Sequence, residues 1–332
     1  MEGTNEARLP APRHKVSLVP SSRRRGAGSL AYQPDGTPFG RLISPGLKTE
    51  RQKMKTARRN NRIAPMQLTA RDVEVILSVY ENRFLKRDQI QRLHFAGASV
   101  FACNRRLKKL DEHKFLDKLI KPVAVGSHQI VYALDKQGAD IVAAALNVNR
   151  QKVRWNRANN RVEFLFLEHT LGVSEVRVCL DIALAGRHEE LLFYQRGDKS
   201  HLRRISMTGA KKKYYVVAPD AFFGIQTGRG KCIFFLEVDM GTETLSRFAE
   251  KVTAYKRYWK SHQYTEEYGF NNFRVLTVCE SDRRLANLIQ ATGKVGGRQM
   301  FLFTTFAAIQ QNSPLGSVWL SPFIDLPTSL LE

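Results

Sequence analysis

Three carboxylates stand where a strand-rich chain could gather them. Pro219-Asp220 is followed, seventeen residues after the aspartate, by Glu237-Val238-Asp239 at the end of the apolar run Cys232-Ile233-Phe234-Phe235-Leu236. Side chains alternate along a strand, so Glu237 and Asp239 project from one face and Val238 from the other. Asp220 closes the preceding run Tyr214-Tyr215-Val216-Val217-Ala218, and a hairpin through Gly224 and Gly228-Arg229-Gly230 would bring it alongside. Carboxylates this close repel one another, and a divalent cation with oxygen ligands usually stabilises them, so Asp220, Glu237 and Asp239 are expected to hold Mg²⁺ or Mn²⁺. Such a metal orients a water and neutralises charge growing on a phosphate, which is the chemistry of phosphodiester cleavage. The plainer alternative is an acidic strand end open to water.

The elements that must position these groups follow from periodicity. Arg161 to about Ala185 reads as one long helix with Val162, Leu165, Phe166, His169, Val173, Val176 and Leu180 on one face. His169 on that stripe reads as a core residue before it reads as a ligand. Glu168 and Glu175 lie on its flank, where a carboxylate could reach toward the metal. Strands are expected at Leu191–Tyr194, Tyr214–Phe223, Lys231–Asp239, Phe273–Cys279 and Met300–Phe306, with helices over Glu243–Trp259 and Asp282–Ala291. A meander followed by strand-helix-strand crossovers gives a mixed α/β sheet with helices on both faces.

Upstream, Thr69 is a plausible N-cap for a helix with Val73, Ile76, Leu77 and Tyr80 on one face. A second helix over Lys86–His94 turns inward Ile90 and Leu93. A third carries Val100, Cys103, Leu107 and Leu110 at helical spacing, leaving Phe101, Asn104, Arg105 and Lys108, with Arg106 and Lys109, to face outward. Apolar teeth on one side and a basic, amide-bearing face on the other are how a helix enters the major groove. Two alternating strands, Phe115–Lys121 and Gln129–Leu134, joined through Pro122 and Gly126-Ser127, make a wing, and Asp135–Leu146 a closing helix. The expected organisation is a disordered basic tail over 1–64, a winged helix-turn-helix over 65–148, a polar linker over 149–160, and an α/β domain over 161–325.

The whole chain agrees with that assignment. Its 332 residues carry 53 Lys and Arg against 31 Asp and Glu, a net charge of +22, which favours a polyanionic partner. No apolar run is long enough to span a bilayer, and no apolar leader opens the chain, so a cytoplasmic protein with no membrane partner is expected. Cys103, Cys179, Cys232 and Cys279 are far apart and form neither a zinc motif nor a disulfide framework. No two of the eight histidines are separated by a single residue, which excludes a paired-histidine relaxase site, and the Gly-rich stretches match no phosphate loop.

The element order, with Pro-Asp on one strand and an acidic dyad on the next, resembles the PD-(D/E)XK nuclease superfamily. That pattern asks for a lysine two residues after Glu237, where this chain has Asp239. Lys251 on the following helix, with Tyr255 four residues on and on the same face, is the best substitute; Lys231 lies farther off. The chain is also similar to the replication-relaxation proteins of plasmids and integrative mobile elements. Leu68-Thr69-Ala70-Arg71-Asp72, Arg83–Ile90, Arg106-Leu107 before Leu110, Pro219-Asp220-Ala221, and Glu237-Val238-Asp239-Met240-Gly241-Thr242-Glu243 with Lys251 and Tyr255 carry that resemblance over roughly residues 66–310. It implies a winged helix fused to a nuclease-like domain acting on element DNA. Two functions stand: a DNA-binding factor of replication or transfer whose nuclease fold is a platform, or a Mg-dependent endonuclease or nickase using Asp220, Glu237, Asp239 and Lys251, with Glu175 a further candidate. Duplex DNA is the first expected partner; replication or mobilisation proteins and a second copy in a homodimer are the others.

Overall fold

A computed structural model of the protein describes residues 65–121, 129–197, 203–206, 214–297 and 299–331. The expected basic tail over 1–64 and the expected turn of the wing through Pro122 and Gly126-Ser127 lie outside the described residues.

Helix α1 (Ala70–Asn82) begins with a capping box in which the Thr69 side chain accepts from the Asp72 amide while Asp72 accepts from the Thr69 backbone N–H. Its buried stripe is Asp72, Val75, Ile76, Val79 and Asn82, rotated from the expected one because elements on several sides cover it; Leu77 and Tyr80 end half-buried. A three-residue strand, β1 (Phe84–Lys86), precedes α2 (Arg87–His94) and is too short to show a period. Helix α3 (Val100–Glu112) buries Cys103, Leu107 and Leu110, while Val100, expected inward, is exposed in the first turn. Strands β2 (Leu116–Lys121) and β3 (Gln129–Leu134) pair antiparallel, and β1 adds to β3 to make a three-stranded sheet, closed by α4 (Lys136–Ala145) behind its Asp135 cap. Residues 149–160 are not a free linker. Two short 3-10 turns, Arg150–Val153 and Arg157–Asn160, are tied back by Trp155 Nε1 donating to Leu134 O at 2.8 Å and Asn160 Nδ2 donating to Asp117 at 2.8 Å.

Helix α5 (Phe164–Leu184) is shared by both halves of this unit. Leu167 and Leu171 pack on Phe84, Val131 and Ala133, whereas Val173, Val176 and Leu180 pack on Leu236, Val238 and Val278. Burial therefore runs all round from Thr170 to Val176 instead of along one stripe.

The remaining elements are β4 (Glu190–Arg196), β5 (Arg203–Ser206), β6 (Tyr214–Val217), β7 (Ala221–Thr227), β8 (Gly230–Asp239), α6 (Leu245–Ser261), α7 (Gln263–Tyr268), β9 (Arg274–Cys279), α8 (Asp282–Lys294), β10 (Phe301–Thr305), α9 (Phe306–Asn312), β11 (Trp319–Ser321) and β12 (Ile324–Thr328). A seven-stranded mixed sheet runs β12-β11-β10-β9-β8-β7-β4, with β8, β9 and β10 parallel and the rest antiparallel. Alternation sorts its side chains: Phe222, Phe235, Val275, Phe301 and Phe303 join α6 and α8, while Phe223, Phe234, Leu236, Leu276 and Leu302 join α5 and α9. The expected single strand Tyr214–Phe223 is interrupted. Proline cannot donate to a ladder, and around Pro219 the chain leaves β6, which among the described residues pairs with β5 alone, and enters β7. Asp220 thus opens a strand of the main sheet rather than closing the one before it, and Gly224 lies within β7 rather than in the turn. No helix among the described residues is long and apolar enough to cross a membrane.

Candidate functional site

Strand alternation brings Glu237 to the α6 face at the end of β8, beside Thr277 of β9. In the β7–β8 register Ala221 faces Leu236, and the Asp220 amide donates to Leu236 O at 2.8 Å, so Asp220 stands next to Glu237. The Asp220 carboxylate accepts from the Val238 amide at 2.7 Å and lies 3.1 Å from His169 Nε2. A residue read as core therefore belongs to the cluster. Helix α5 can approach closely because Gly172, three residues on, has no Cβ; one there would lie 3.0 Å from Val238 Cγ1 and 3.1 Å from Met240 Sδ.

Both oxygens of Glu237 are occupied. Tyr255 OH donates to Oε1 at 2.5 Å and Lys251 Nζ to Oε2 at 3.0 Å, from adjacent turns of α6. Lys251 also pairs with Glu243 at 3.1 Å. Burial pushes the Glu237 carboxyl up to about 7, against the pull of Lys251 and Tyr255. Burial disfavours the Lys251 ammonium, yet Glu237 and Glu243 outweigh it and hold its pKa above the usual value. The His169 pKa is raised, first by its hydrogen bond to Asp220.

Asp239 shares the face of Glu237 but not its partners. Arg284, near the start of α8, donates to both its oxygens, at 2.9 and 2.7 Å, and the Gly241 amide adds a third bond at 2.8 Å. No group of three His, Cys, Asp or Glu side chains among the described residues is placed to hold a metal ion. With every oxygen of Glu237 and Asp239 already bonded to a protein donor, this donor set does not fit the expected three-carboxylate Mg²⁺ or Mn²⁺ site. The residue two positions after Glu237 is Asp239, neutralised by Arg284, and the cation on Glu237 is Lys251 of α6.

Glu175 stands apart from this cluster. Buried on α5, it accepts from Arg92 at 2.6 Å, Gln89 at 2.7 Å and Gln310 at 2.8 Å, which knits α2 and α9 to α5. Burial alone would raise its pKa, but Arg92 and the amides leave it lowered. The spacing that put Glu175 on the flank of α5 did not reveal that α2 covers that flank.

A second surface lies on α3. Asn104, Arg105, Lys108 and Lys109 are exposed, and Lys108 is 3.7 Å from Glu112. Arg106, expected among them, turns inward: its Nε donates to Asp72 Oδ1 at 2.6 Å, a second nitrogen to Asp72 Oδ2, and it reaches Gln67 O at 3.0 Å. Asp72 is buried, and Arg106 with Thr69 outweighs that burial to hold its pKa below the usual value. The carboxylate inside α1 required a cation, and Arg106 is the cation that reaches it.

Compared with known protein families, residues 77–273 match the model described as replication-relaxation. The matched span includes Asn104–Lys109, His169, Asp220, Glu237 and Lys251 and ends before Arg284. No curated protein and no solved structure matches the chain.

Proposed function

The chain belongs to the replication-relaxation family, and from that premise we propose that it is a DNA-binding protein of plasmid or mobile-element replication or transfer, acting in the cytoplasm. The helix, helix, basic helix and hairpin from α1 to β3 act as a winged helix-turn-helix that lays α3 in the major groove of duplex DNA. The observation that carries this reading is the α3 surface, where Asn104, Arg105, Lys108 and Lys109 stand in solvent opposite buried Cys103, Leu107 and Leu110. Cations so placed neutralise phosphates, and a net charge of +22 strengthens the encounter. The mixed sheet acts as a PD-(D/E)XK-like platform whose carboxylates are engaged by the protein's own donors, Tyr255 and Lys251 on Glu237 and Arg284 on Asp239. A titration of the full chain against a labelled duplex over a range of salt tests the reading. Steep salt dependence that weakens in Arg105→Ala/Lys108→Ala supports it; affinity equal to the unsubstituted chain refutes it. Replication or mobilisation proteins, or a second copy of the chain, are the protein partners such a role calls for.

A Mg-dependent endonuclease or nickase is the second reading, favoured by the convergence of Asp220, Glu237, His169 and Lys251 on one strand end. It requires Tyr255 and Lys251 to yield the Glu237 oxygens before Mg²⁺ or Mn²⁺ could take them. Incubation with supercoiled, linear and single-stranded DNA in either metal decides it: cleavage abolished by Asp220→Asn and Glu237→Gln establishes the enzyme, and intact DNA leaves the binding role.

A further inference from the structure

The first turn of α3 exposes two consecutive apolar side chains, Val100 at 47% and Phe101 at 73%. Ser99 caps this turn, its hydroxyl accepting from the Ala102 amide at 3.2 Å, so the helix is regular from its start. Phe101, Asn104, Arg105 and Lys108 follow the spacing i, i+3, i+4, i+7 and form one stripe on the outer face. Arg105 and Lys109 make no ion pair with another described residue. Phe101 and Arg105 alone would also suit a protein interface, but Lys108 and Lys109 beside them are of a type depleted from interface cores and turn the balance toward a polyanion. The stripe suits a polyanion that offers apolar groups between its phosphates. In the duplex major groove the apolar group is the thymine C5 methyl, and a side-chain amide matches adenine N6 and N7. Residues at the start of a recognition helix meet base edges, which here are Phe101 and Asn104.

We propose that Phe101 packs on a thymine methyl and Asn104 pairs with an adjacent adenine, so that the chain reads an A·T-containing step in the major groove while Arg105, Lys108 and Lys109 hold the flanking backbone. This rests on the reading that α3 enters that groove. Phe101 is a specificity residue, and its loss leaves phosphate binding in place.

The test selects duplexes from a randomised library with the full chain, then rebuilds the enriched duplex with each thymine replaced in turn by deoxyuridine, which deletes only the methyl. Expected is a loss of about fourfold at one or two positions, the factor that uncovering one methyl-sized group implies, absent in Phe101→Ala and partly kept in Phe101→Leu. Asn104→Ala should relax the preference for the neighbouring adenine by about tenfold. Unchanged affinity at every uridine, or the same loss in Phe101→Ala, overturns the inference while duplex binding still stands. Failure of the full chain to enrich any duplex removes the major-groove reading along with it. A change of sedimentation in Phe101→Ala with thymine discrimination intact assigns the ring to a protein contact and overturns the inference too.

Discussion

Lys251 on α6 places its ammonium 3.0 Å from the Glu237 carboxylate, in a chain whose residue two positions after Glu237 is Asp239. The cation at this strand end comes from a helix, and Tyr255 one turn later completes the contact. Lys251 and Tyr255 together fix a buried carboxylate whose titration falls near neutrality.

That titration has a direction. Glu237 rises from 4.5 to about 7 in the folded chain, so between those values the fold retains a proton that the unfolded chain has released. Stability from this group is full below 4.5 and is lost as pH rises through about 7. Urea denaturation from pH 5 to 8 should show the unsubstituted chain losing stability relative to Glu237→Gln, by at most about 3 kcal/mol. Parallel pH profiles would mean that Lys251 keeps Glu237 ionised across the range.

Two arginines one residue apart should behave oppositely. Arg105→Ala with Lys108→Ala should lower the salt slope of duplex binding by about two and leave stability within about 0.5 kcal/mol. Arg106→Ala should leave the slope alone and cost about 2–3 kcal/mol, because Asp72 at 1% exposure loses its cation. Asp72 titrates below its usual 3.8, so the stability it adds with Arg106 is present above that value and is lost as pH falls through its folded pKa. A smaller slope in Arg106→Ala would return that side chain to the DNA surface.

Periodicity and strand alternation made legible α3, its cationic face, the shared face of Glu237 and Asp239, and the shared helix face of Lys251 and Tyr255 four residues on. Each is a local relation, carried by 3.6 or 2 residues per repeat. What stayed hidden depended on partners distant in sequence. Arg106 points inward because Asp72, thirty-four residues away, is buried; His169 joins Asp220 across fifty-one residues; Arg284 answers Asp239 across forty-five. The surroundings of Glu175 stay hidden for the same reason, since Arg92 and Gln310 lie eighty-three and one hundred thirty-five residues from it.

Glu175 therefore belongs to stability rather than to the strand-end cluster. Glu175→Ala should cost about 2–3 kcal/mol, moderated by the partial exposure of Arg92 and worsened by Gln89, which is fully buried. Glu175→Gln should leave any DNA cleavage rate within about twofold, since none of its hydrogen bonds reaches Asp220 or Glu237. A selective loss of cleavage in a stably folded Glu175→Gln would place this carboxylate in the chemistry.

The last prediction concerns the cation that Arg284 supplies. Asp239, with a side chain 3% exposed, accepts from Arg284 at both oxygens, so Arg284→Ala strands a buried carboxylate and should cost about 3 kcal/mol. A divalent cation can then do what the guanidinium did. Adding Mn²⁺ should raise the thermal midpoint of Arg284→Ala more than that of the unsubstituted chain, because a ligand bound only by the folded state stabilises it by an amount that grows with the logarithm of its affinity. Asp239→Asn in the same background should cancel both the loss and the rescue. Were the unsubstituted chain to gain as much from Mn²⁺, and Asp220→Asn to abolish that gain, the carboxylates would be holding metal in spite of Lys251 and Arg284, and the endonuclease reading would displace the platform.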